Sequence, residues 1–154
     1  MSSEENKDII HRLIKVENTH NVALLDEFIA PDFVDERNTP FELRGLESYK
    51  RFETGVIKGF PDFQETIEDI IAEGDKVWVY FKFTGTHIGE FEFGPMKFVP
   101  TGKKIAWEAV NMWRIVNGKV VERKTVRDIL AFLQQLGLIE HTEKGKELFS
   151  KFVS

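Results

Sequence analysis

Two long β-type segments, residues 76–86 and 103–116, carry large apolar side chains on both faces, and this pattern restricts the possible folds more than any other feature. One face of these segments is almost entirely apolar around a single amide, Asn111: Val77, Val79, Phe81, Phe83, Ile105, Trp107, Ala109, Trp113 and Ile115. The opposite face of the first segment carries Trp78 and Tyr80. A sheet with one face in water alternates between apolar and polar side chains, so both faces are predicted to be covered.

Helical patterns precede and follow the strand patterns. Apolar residues recur at helical spacing in three segments: 4–18, 45–60 and 128–136. Strand patterns occupy four segments: 63–72, 76–86, 103–116 and 119–127. The dipeptide Asn117-Gly118 favours a type I′ hairpin turn between the last two strands, whereas residues 89–102 predict an irregular connection. Helices followed by a run of strands indicate an α+β fold with an antiparallel sheet.

The length of 154 residues corresponds to a single domain, residues 1–154, with a helical tail over residues 138–154. The helices are expected to cover one face of a curved sheet, and a second copy of the chain to cover the other, giving a homodimer. Apolar residues cannot reveal whether they face protein or a ligand. An apolar cavity and a solidly packed core therefore remain equally open interpretations.

Composition excludes several classes of function. The chain has no cysteine, which rules out disulfides and thiolate metal sites and fits a reducing, cytoplasmic location. Its net charge is −5 and it has no basic stripe, so no nucleic-acid partner is expected. Apolar stretches are too short for a membrane span, and the polar start does not resemble a secretory signal. No spacing of histidines and carboxylates predicts a metal, and no cofactor is expected.

An ordered series of short motifs runs along most of the chain. It includes Ala30-Pro31-Asp32-Phe33-Val34-Asp35, Phe60-Pro61-Asp62-Phe63, Glu73-Gly74-Asp75-Lys76-Val77, Asn117-Gly118-Lys119-Val120-Val121-Glu122 and Leu133-Gln134-Gln135-Leu136-Gly137. In order and spacing, these motifs resemble the SnoaL-like polyketide cyclases, also called ester cyclases. That family belongs to the superfamily of nuclear transport factor two and ketosteroid isomerase. The resemblance covers residues 9–137, and it is more specific for a fold than for an activity.

The resemblance implies a cone-shaped, cystatin-like α+β barrel, in which a curved antiparallel sheet wraps around N-terminal helices and encloses a deep apolar pocket. It also implies ring closure by intramolecular aldol condensation without a metal or cofactor, and a dimeric or tetrameric assembly. The family's acid/base aspartate near the end of the last strand matches Asp128. The His and Trp of the family pattern are replaced here by Arg123 and Lys124.

Two interpretations of Asp128 remain open. At the edge of an apolar pocket, desolvation would raise the pKa of this carboxyl group and suit it to general acid/base catalysis. Alternatively, Asp128 caps the helix that follows it. Asn111 and Arg127 are the candidates for polarising a substrate carbonyl group, although a hydrogen-bonded core amide and a solvated arginine are the commoner explanations for such residues.

Seven further side chains are candidates for contacting a substrate: Trp78, Tyr80, Phe91, Phe93, Trp107, Trp113 and His87. Aromatic residues on strands are more often plain core residues. Phe91 and Phe93 alternate with glutamates, which also fits a short edge strand, and His87 fits a hydrogen bond within a loop.

The function predicted first is cofactor-free acid/base chemistry on a small hydrophobic carbonyl compound, as in a polyketide cyclase. One alternative is a protein that binds a small hydrophobic molecule without catalysis. The other is an isomerase or epoxide hydrolase of the same superfamily. That alternative needs a second acidic residue, or a Tyr or Arg partner, in the cavity, and the sequence alone maps none clearly.

Overall fold

The computed structural model describes residues 1–37, 42–93 and 96–150, apart from the side chains of Arg37 and Phe93. Helix α1 spans Ser3–Glu17 and is followed by a short 3₁₀ helix, Val22–Glu27. The next elements are β1 (Ile29–Arg37), β2 (Leu43–Arg44), α2 (Leu46–Gly59), β3 (Gln64–Glu73) and β4 (Lys76–Thr86). The chain continues with β5 (Phe91–Phe93), β6 (Met96–Phe98), β7 (Lys104–Val116), β8 (Lys119–Arg127), α3 (Ile129–Gln135) and α4 (Glu143–Ser150).

The main sheet has six strands in the order β2-β1-β8-β7-β4-β3. The predicted α+β class is confirmed, but the expectation of a purely antiparallel sheet is wrong. Strand β1 runs parallel to β8, with Asp35 opposite Arg123, whereas the other neighbours are antiparallel. This parallel pairing joins segments far apart in the sequence, and the local pattern of neither strand specifies it.

The hairpin between β7 and β8 turns at the predicted dipeptide. Asn117 and Gly118 have φ values of 51° and 75°, the positive values that a type I′ turn requires at both central residues. Irregular register in β3, between Ile67 and Asp69, and near Arg114 in β7 marks β-bulges. Bulges bend a strand and increase its twist, which fits the curvature of the sheet.

The inner face of the sheet carries the side chains expected from the alternation of β4 and β7. Val77, Val79, Trp113 and Ile115 are buried there. Helix α1 packs across this face with its apolar stripe, Ile9, Ile10, Leu13 and Ile14. Helix α2 contacts β1 and the 3₁₀ helix, and its Tyr49 hydroxyl donates to Glu17 at the end of α1. The outer face keeps Trp78 and Tyr80 46% and 38% exposed.

The connection between β4 and β7 is more regular than expected. Strands β5 and β6 form a separate small hairpin, and Phe91 and Phe98 pair across it and are buried. Gly89 anchors the start of this hairpin against the end of α2. A Cβ atom at position 89 would lie 1.8 Å from the Lys58 carbonyl oxygen, so only glycine fits there without a backbone shift.

The helical tail is present as α4, which has no buried residue. Its Leu148 and Phe149 are exposed, and the last four residues of the predicted tail, 151–154, lie outside the described residues. Among the described helices, none combines the length and apolar character that a membrane crossing demands.

Candidate active site

A cavity of about 180 Å³ lies between the inner face of the sheet, helices α2 and α3, and the β5–β6 hairpin. It is larger than the engineered core cavity of about 150 Å³ that accepts benzene. Met96 and Ile129 are partly exposed where they border it. Its wall is apolar and mainly aromatic: Phe52, Val56, Phe60, Phe81, Phe83, Phe91, Met96, Phe98, Trp107, Ile129, Phe132 and Leu133.

The same cavity has a polar lining made of six side chains from four elements: Glu53, Glu65, Asn111, Arg123, Thr125 and Arg127. Strand alternation explains the members on β8, because Arg123, Thr125 and Arg127 are two residues apart and share the inner face. Helix α2 contributes Glu53, and β3 contributes Glu65. A few polar groups in an apolar enclosure are typical of a small-molecule site.

Arg123 is the centre of a buried hydrogen-bond network next to the cavity. Its guanidinium donates to both carboxylate oxygens of Asp35, at 2.6 and 3.2 Å, and Asp35 is fully buried. Its Nη1 also donates to the Tyr49 hydroxyl at 3.0 Å. Burial acts to lower the pKa of Arg123, but the charge of Asp35 and its other partners outweighs burial and holds that pKa well above the usual range.

Glu17, at the end of α1, and Glu65 form a buried carboxyl pair hydrogen-bonded to each other. Burial is the largest cause that raises the pKa of Glu17 from 4.5 to about 8, and the charge of Glu65 adds to it. Burial, followed by the charge of Glu53, raises the pKa of Glu65 from 4.5 to about 7. Glu65 borders the cavity, so part of its side-chain surface is exposed there. The surrounding protein nevertheless makes burial the largest cause of its raised pKa.

Asn111 and Arg127 both belong to the polar lining, so the structure brings these two predicted residues together. The Thr125 hydroxyl donates to Oδ1 of Asn111 at 2.7 Å, which leaves the amide NH₂ as the end of Asn111 that can donate to a ligand. The guanidinium of Arg127 lies 5.7 Å from the centre of the Trp107 ring, at cation–π distance.

The predicted substrate-contacting residues divide between the cavity and other places. Trp107 and Phe91 line the cavity. Trp113 is buried beneath it, with the Arg123 guanidinium 5.1 Å from its ring. The placement of Trp78 and Tyr80 in a pocket is corrected, because alternation directs both to the outer face.

His87 and Phe93 are the remaining candidates for contacting a substrate. His87 is fully buried but does not line the cavity: its ring stacks on Phe60 at 5.0 Å and its Nδ1 lies 3.1 Å from the Thr101 hydroxyl. Burial lowers the pKa of His87, which favours a neutral structural ring. The side chain of Phe93 lies outside the described residues.

Asp128 lies outside the cavity lining in the structure. Its carboxylate is exposed and accepts a hydrogen bond from the Ala131 backbone N–H at 3.0 Å, so it forms the N-cap of α3. The flanking residues Arg127 and Ile129 border the cavity, but Asp128 does not. The helix-capping interpretation therefore describes the observed geometry of this side chain.

Three acidic residues of the site escaped the sequence analysis: Glu17, Glu53 and Glu65. Each occupies an otherwise apolar face of its element, which is the signal that would have found them. Glu17 follows Leu13 and Ile14 at helical spacing, and Glu65 on β3 alternates with Ile67 and with Phe63, which immediately precedes the strand. An acidic residue at a core position marks a group that the fold must pair or neutralise.

Comparisons with known proteins identify the family of this chain. Residues 7–136 match the family described as SnoaL-like polyketide cyclase. The chain belongs to the SnoaL-like polyketide cyclase family. It is 29% identical over 144 residues to the aklanonic acid methyl ester cyclase DnrD of Streptomyces peucetius, covering 90% of this chain and 94% of that protein. It is 26% identical over 128 residues to the nogalonic acid methyl ester cyclase of Streptomyces nogalater, covering 81% and 92% of the two chains.

Solved structures of similar proteins share the fold of this SnoaL-like chain. AclR of Streptomyces galilaeus, a proposed hydroxylase, superposes with a TM-score of 0.77 at 28% identity, covering 99% of this chain and 94% of AclR. IdmH of Streptomyces antibioticus, a proposed polyketide cyclase, gives a TM-score of 0.71 at 30% identity, covering 86% and 98%. The matched family region contains the whole polar lining and ends before α4.

Proposed function

We propose that the cavity is the active site of a cofactor-free enzyme that cyclises a small hydrophobic carbonyl compound by an intramolecular aldol reaction. The observation that carries this proposal is the position of Glu65. It borders an apolar cavity, and burial raises its pKa to about 7. A carboxylate of that basicity is suited to removing a proton next to a carbonyl group near neutral pH.

The proposed reaction begins when the Glu65 carboxylate removes a proton from the carbon beside one carbonyl group, which leaves an enolate. The enolate carbon then bonds to a second carbonyl carbon of the same molecule, and the electron pair of that C=O bond moves to its oxygen. The Glu65 carboxylic acid returns its proton to the resulting alkoxide. The enzyme therefore ends the reaction in its starting state.

Asn111 and Arg127 are the proposed groups that polarise the carbonyl oxygens. The amide NH₂ of Asn111 is oriented by Thr125, and a donor fixed in advance stabilises developing charge without reorganising during the reaction. Arg127 supplies a positive charge close enough to Glu65 to act on its pKa. Trp107 and Phe91 would hold the apolar part of the substrate.

Asp128 is the alternative base in this proposal, since it occupies the position of the family's acid/base aspartate. A general base must come within hydrogen-bond reach of the proton that it removes. Asp128 is exposed and engaged as a helix cap, whereas Glu65 borders the cavity. The geometry therefore favours Glu65.

A second candidate function is an isomerase or an epoxide hydrolase. Such chemistry needs a second acidic residue, or a Tyr or Arg partner, in the cavity, and Glu53 and Arg123 line the cavity together with Glu65. The products distinguish the candidates: a new ring for the cyclase, a shifted double bond for the isomerase and a diol for the hydrolase. If the protein binds such compounds and forms none of these products, it is a small-molecule-binding protein without catalysis.

The proposed chemistry is tested by following deuterium exchange in D₂O by NMR with a small cyclic 1,3-diketone whose central carbon carries two methyl groups. The compound then stays neutral near pH 7, and its remaining α-protons, each next to one carbonyl group, are only weakly acidic. We expect the protein to accelerate exchange beyond the rate in buffer with an equal concentration of acetate. A chain that binds the diketone and leaves the exchange rate unchanged would be a binding protein rather than an acid/base enzyme.

Blocking the cavity provides a matched test of where the chemistry takes place. Leu133 lines the cavity from α3, whereas Leu130 on the same helix is half exposed and does not line it. Leu133→Trp is expected to weaken diketone binding by about tenfold or more, about 1.4 kcal/mol, and to reduce exchange. Leu130→Trp is the control and should keep the wild-type affinity. Equal affinities in isothermal titration calorimetry would place binding elsewhere.

The outer face of the sheet is our proposed homodimer interface. It exposes large apolar residues on β3, β4 and β8: Ile71, Trp78, Tyr80 and Val126. A patch of this kind is typical of an association surface. Trp78→Lys should shift the mass measured by analytical ultracentrifugation from dimer to monomer at micromolar concentrations, while Ile88→Lys, which changes an exposed residue outside the strands, should not.

A further inference from the structure

A second, much smaller cleft borders the same group of carboxyl side chains as the main cavity, since Glu53 lines both spaces. Its volume is about 10 Å³, close to the minimum that a single water molecule occupies. It is bordered by Glu17 and Glu53, and by residues of the turn after α1, including His20 and Asn21. Asn21 is exposed, so the cleft lies near the protein surface.

The carboxyl groups connect the two spaces. Glu65 lines the main cavity, Glu17 lines the small cleft, and their side chains are hydrogen-bonded to each other. Glu53 borders both spaces. Glu17 is held in place on its other side by the Tyr49 hydroxyl, which donates to its Oε1 at 2.5 Å.

We infer that Glu17 and Glu65 share one proton, and that Glu17 relays protons between the main cavity and solvent through the small cleft. An apolar substrate that fills the main cavity would separate Glu65 from bulk water on that side. The small cleft then lets the carboxyl pair exchange protons with solvent while the substrate is bound. This inference deepens the proposed function. It rests on that function in one respect only, namely that Glu65 exchanges the relayed proton with the substrate.

The proton balance of the relay is simple. In the resting pair, the Glu17 carboxylic acid donates its hydrogen bond to the Glu65 carboxylate. When Glu65 takes a proton from a substrate, the pair holds two protons, and Glu17 releases its own to the cleft. Glu65 then donates to the new Glu17 carboxylate. Reversal of these steps returns a proton from solvent.

The charges around the pair favour one shared proton. Glu53 on α2 and Asp35 on β1 add negative charge near it, whereas Arg123 and Arg127 on β8 add positive charge. Tyr49 stays protonated, because burial raises its pKa well above 10. His20 faces the cleft, and its Nε2 lies 2.9 Å from the Phe63 carbonyl oxygen. Two ionised carboxylates in direct contact in a buried site repel each other strongly.

The shared proton is tested without any substrate, by infrared difference spectroscopy of protein carrying ¹³C-labelled glutamate. We expect a protonated buried carboxyl band at pH 7 that disappears as the pH rises through about 8, the pKa of Glu17. Glu17→Gln, which still accepts the Tyr49 hydrogen bond, leaves Glu65 as the remaining group of the pair, so the band should weaken at pH 7 and its loss should move from about pH 8 down to about 7. Glu140→Gln, a change at an exposed residue, should keep it. A wild-type protein without the band, or a band unchanged in Glu17→Gln, would overturn the inference.

The route is tested by a pH jump on the same band while the diketone fills the main cavity. Val22 borders the small cleft, and its exposed neighbour Ala23 does not. Val22→Phe should slow loss of the band by about tenfold or more, whereas Ala23→Phe should match the wild-type rate. Equal rates in both variants would show that the proton leaves through the main cavity. Because neither readout needs turnover, failure of the relay is distinct from failure of the proposed reaction.

Discussion

Replacing Arg123 by methionine is expected to lower the free energy of unfolding by about 3–5 kcal/mol. Asp35 is fully buried, and both of its carboxylate oxygens accept hydrogen bonds from Arg123. Without the guanidinium, an ionised carboxylate would remain in a site that excludes water. The Tyr49 hydroxyl would also lose its hydrogen bond from Arg123. Urea unfolding followed by circular dichroism measures the loss.

Arg114 provides the matched control for this stability measurement. It lies on the outer side of β7, with its side chain 41% exposed, and pairs with Glu122 at 3.2 Å. Exposed ion pairs contribute little, so Arg114→Met should change the free energy of unfolding by about 1 kcal/mol or less. The double variant Arg123→Met/Asp35→Leu should recover much of the loss, since it removes the unpaired charge as well. A loss of equal size in Arg123→Met and Arg114→Met would contradict a structural role for the buried pair.

Which strand residues line the site depends on the face of the sheet that each residue occupies, and the alternation of the sequence predicts that face. Alternation in β7 places Trp107 and Asn111 on one side, and the structure keeps both in the cavity lining. The Asn117-Gly118 turn starts the pairing of β7 with β8, and the β-bulge between Arg114 and Ile115 then shifts it by one residue, which brings Asn111 opposite Thr125. A tight hairpin fixes the register next to its own turn, but the dipeptide does not predict the bulge on which the pairing of Asn111 with Thr125 depends.

The charged part of the site was harder to predict because its members come from distant segments. Glu17, Glu53 and Glu65 lie on three different elements, and only the packing of α1 and α2 against the sheet brings them together. The parallel pairing of β1 with β8 places Asp35 beside Arg123. Sequence periodicity reports the face of each residue but not which faces meet. An apolar face interrupted by one acidic residue is nevertheless a local signal that such a cluster exists.

The position of Asp128 illustrates the limit of carrying a role over from a resemblance. Its place in the sequence matches the family's aspartate, but its carboxylate caps α3 and is exposed. Arg123 stands where the family pattern has histidine, and here it belongs to the buried network. A charged residue at this inner position of β8 changes the electrostatics of the cavity. These features motivate a direct comparison of Glu65 with Asp128.

Glu65→Gln is expected to reduce catalysed α-proton exchange of the diketone by about 10²–10⁴-fold, the usual contribution of a general base. Glutamine keeps the size of the side chain and its ability to accept a hydrogen bond, so the diketone should bind with near wild-type affinity. Glu68→Gln, a change at an exposed residue on the same strand, should leave exchange unchanged. Asp128→Asn should also retain exchange if Glu65 is the base.

The pH dependence of exchange gives the same assignment independently. Only the ionised carboxylate removes a proton, and burial raises the pKa of Glu65 to about 7. The wild-type rate should therefore rise with pH and level off above about 7, and it should fall about tenfold per unit well below that value. A rate that is flat between pH 5 and 8 and is abolished by Asp128→Asn would transfer the role to Asp128, while Glu65 would keep only a structural part in the buried cluster.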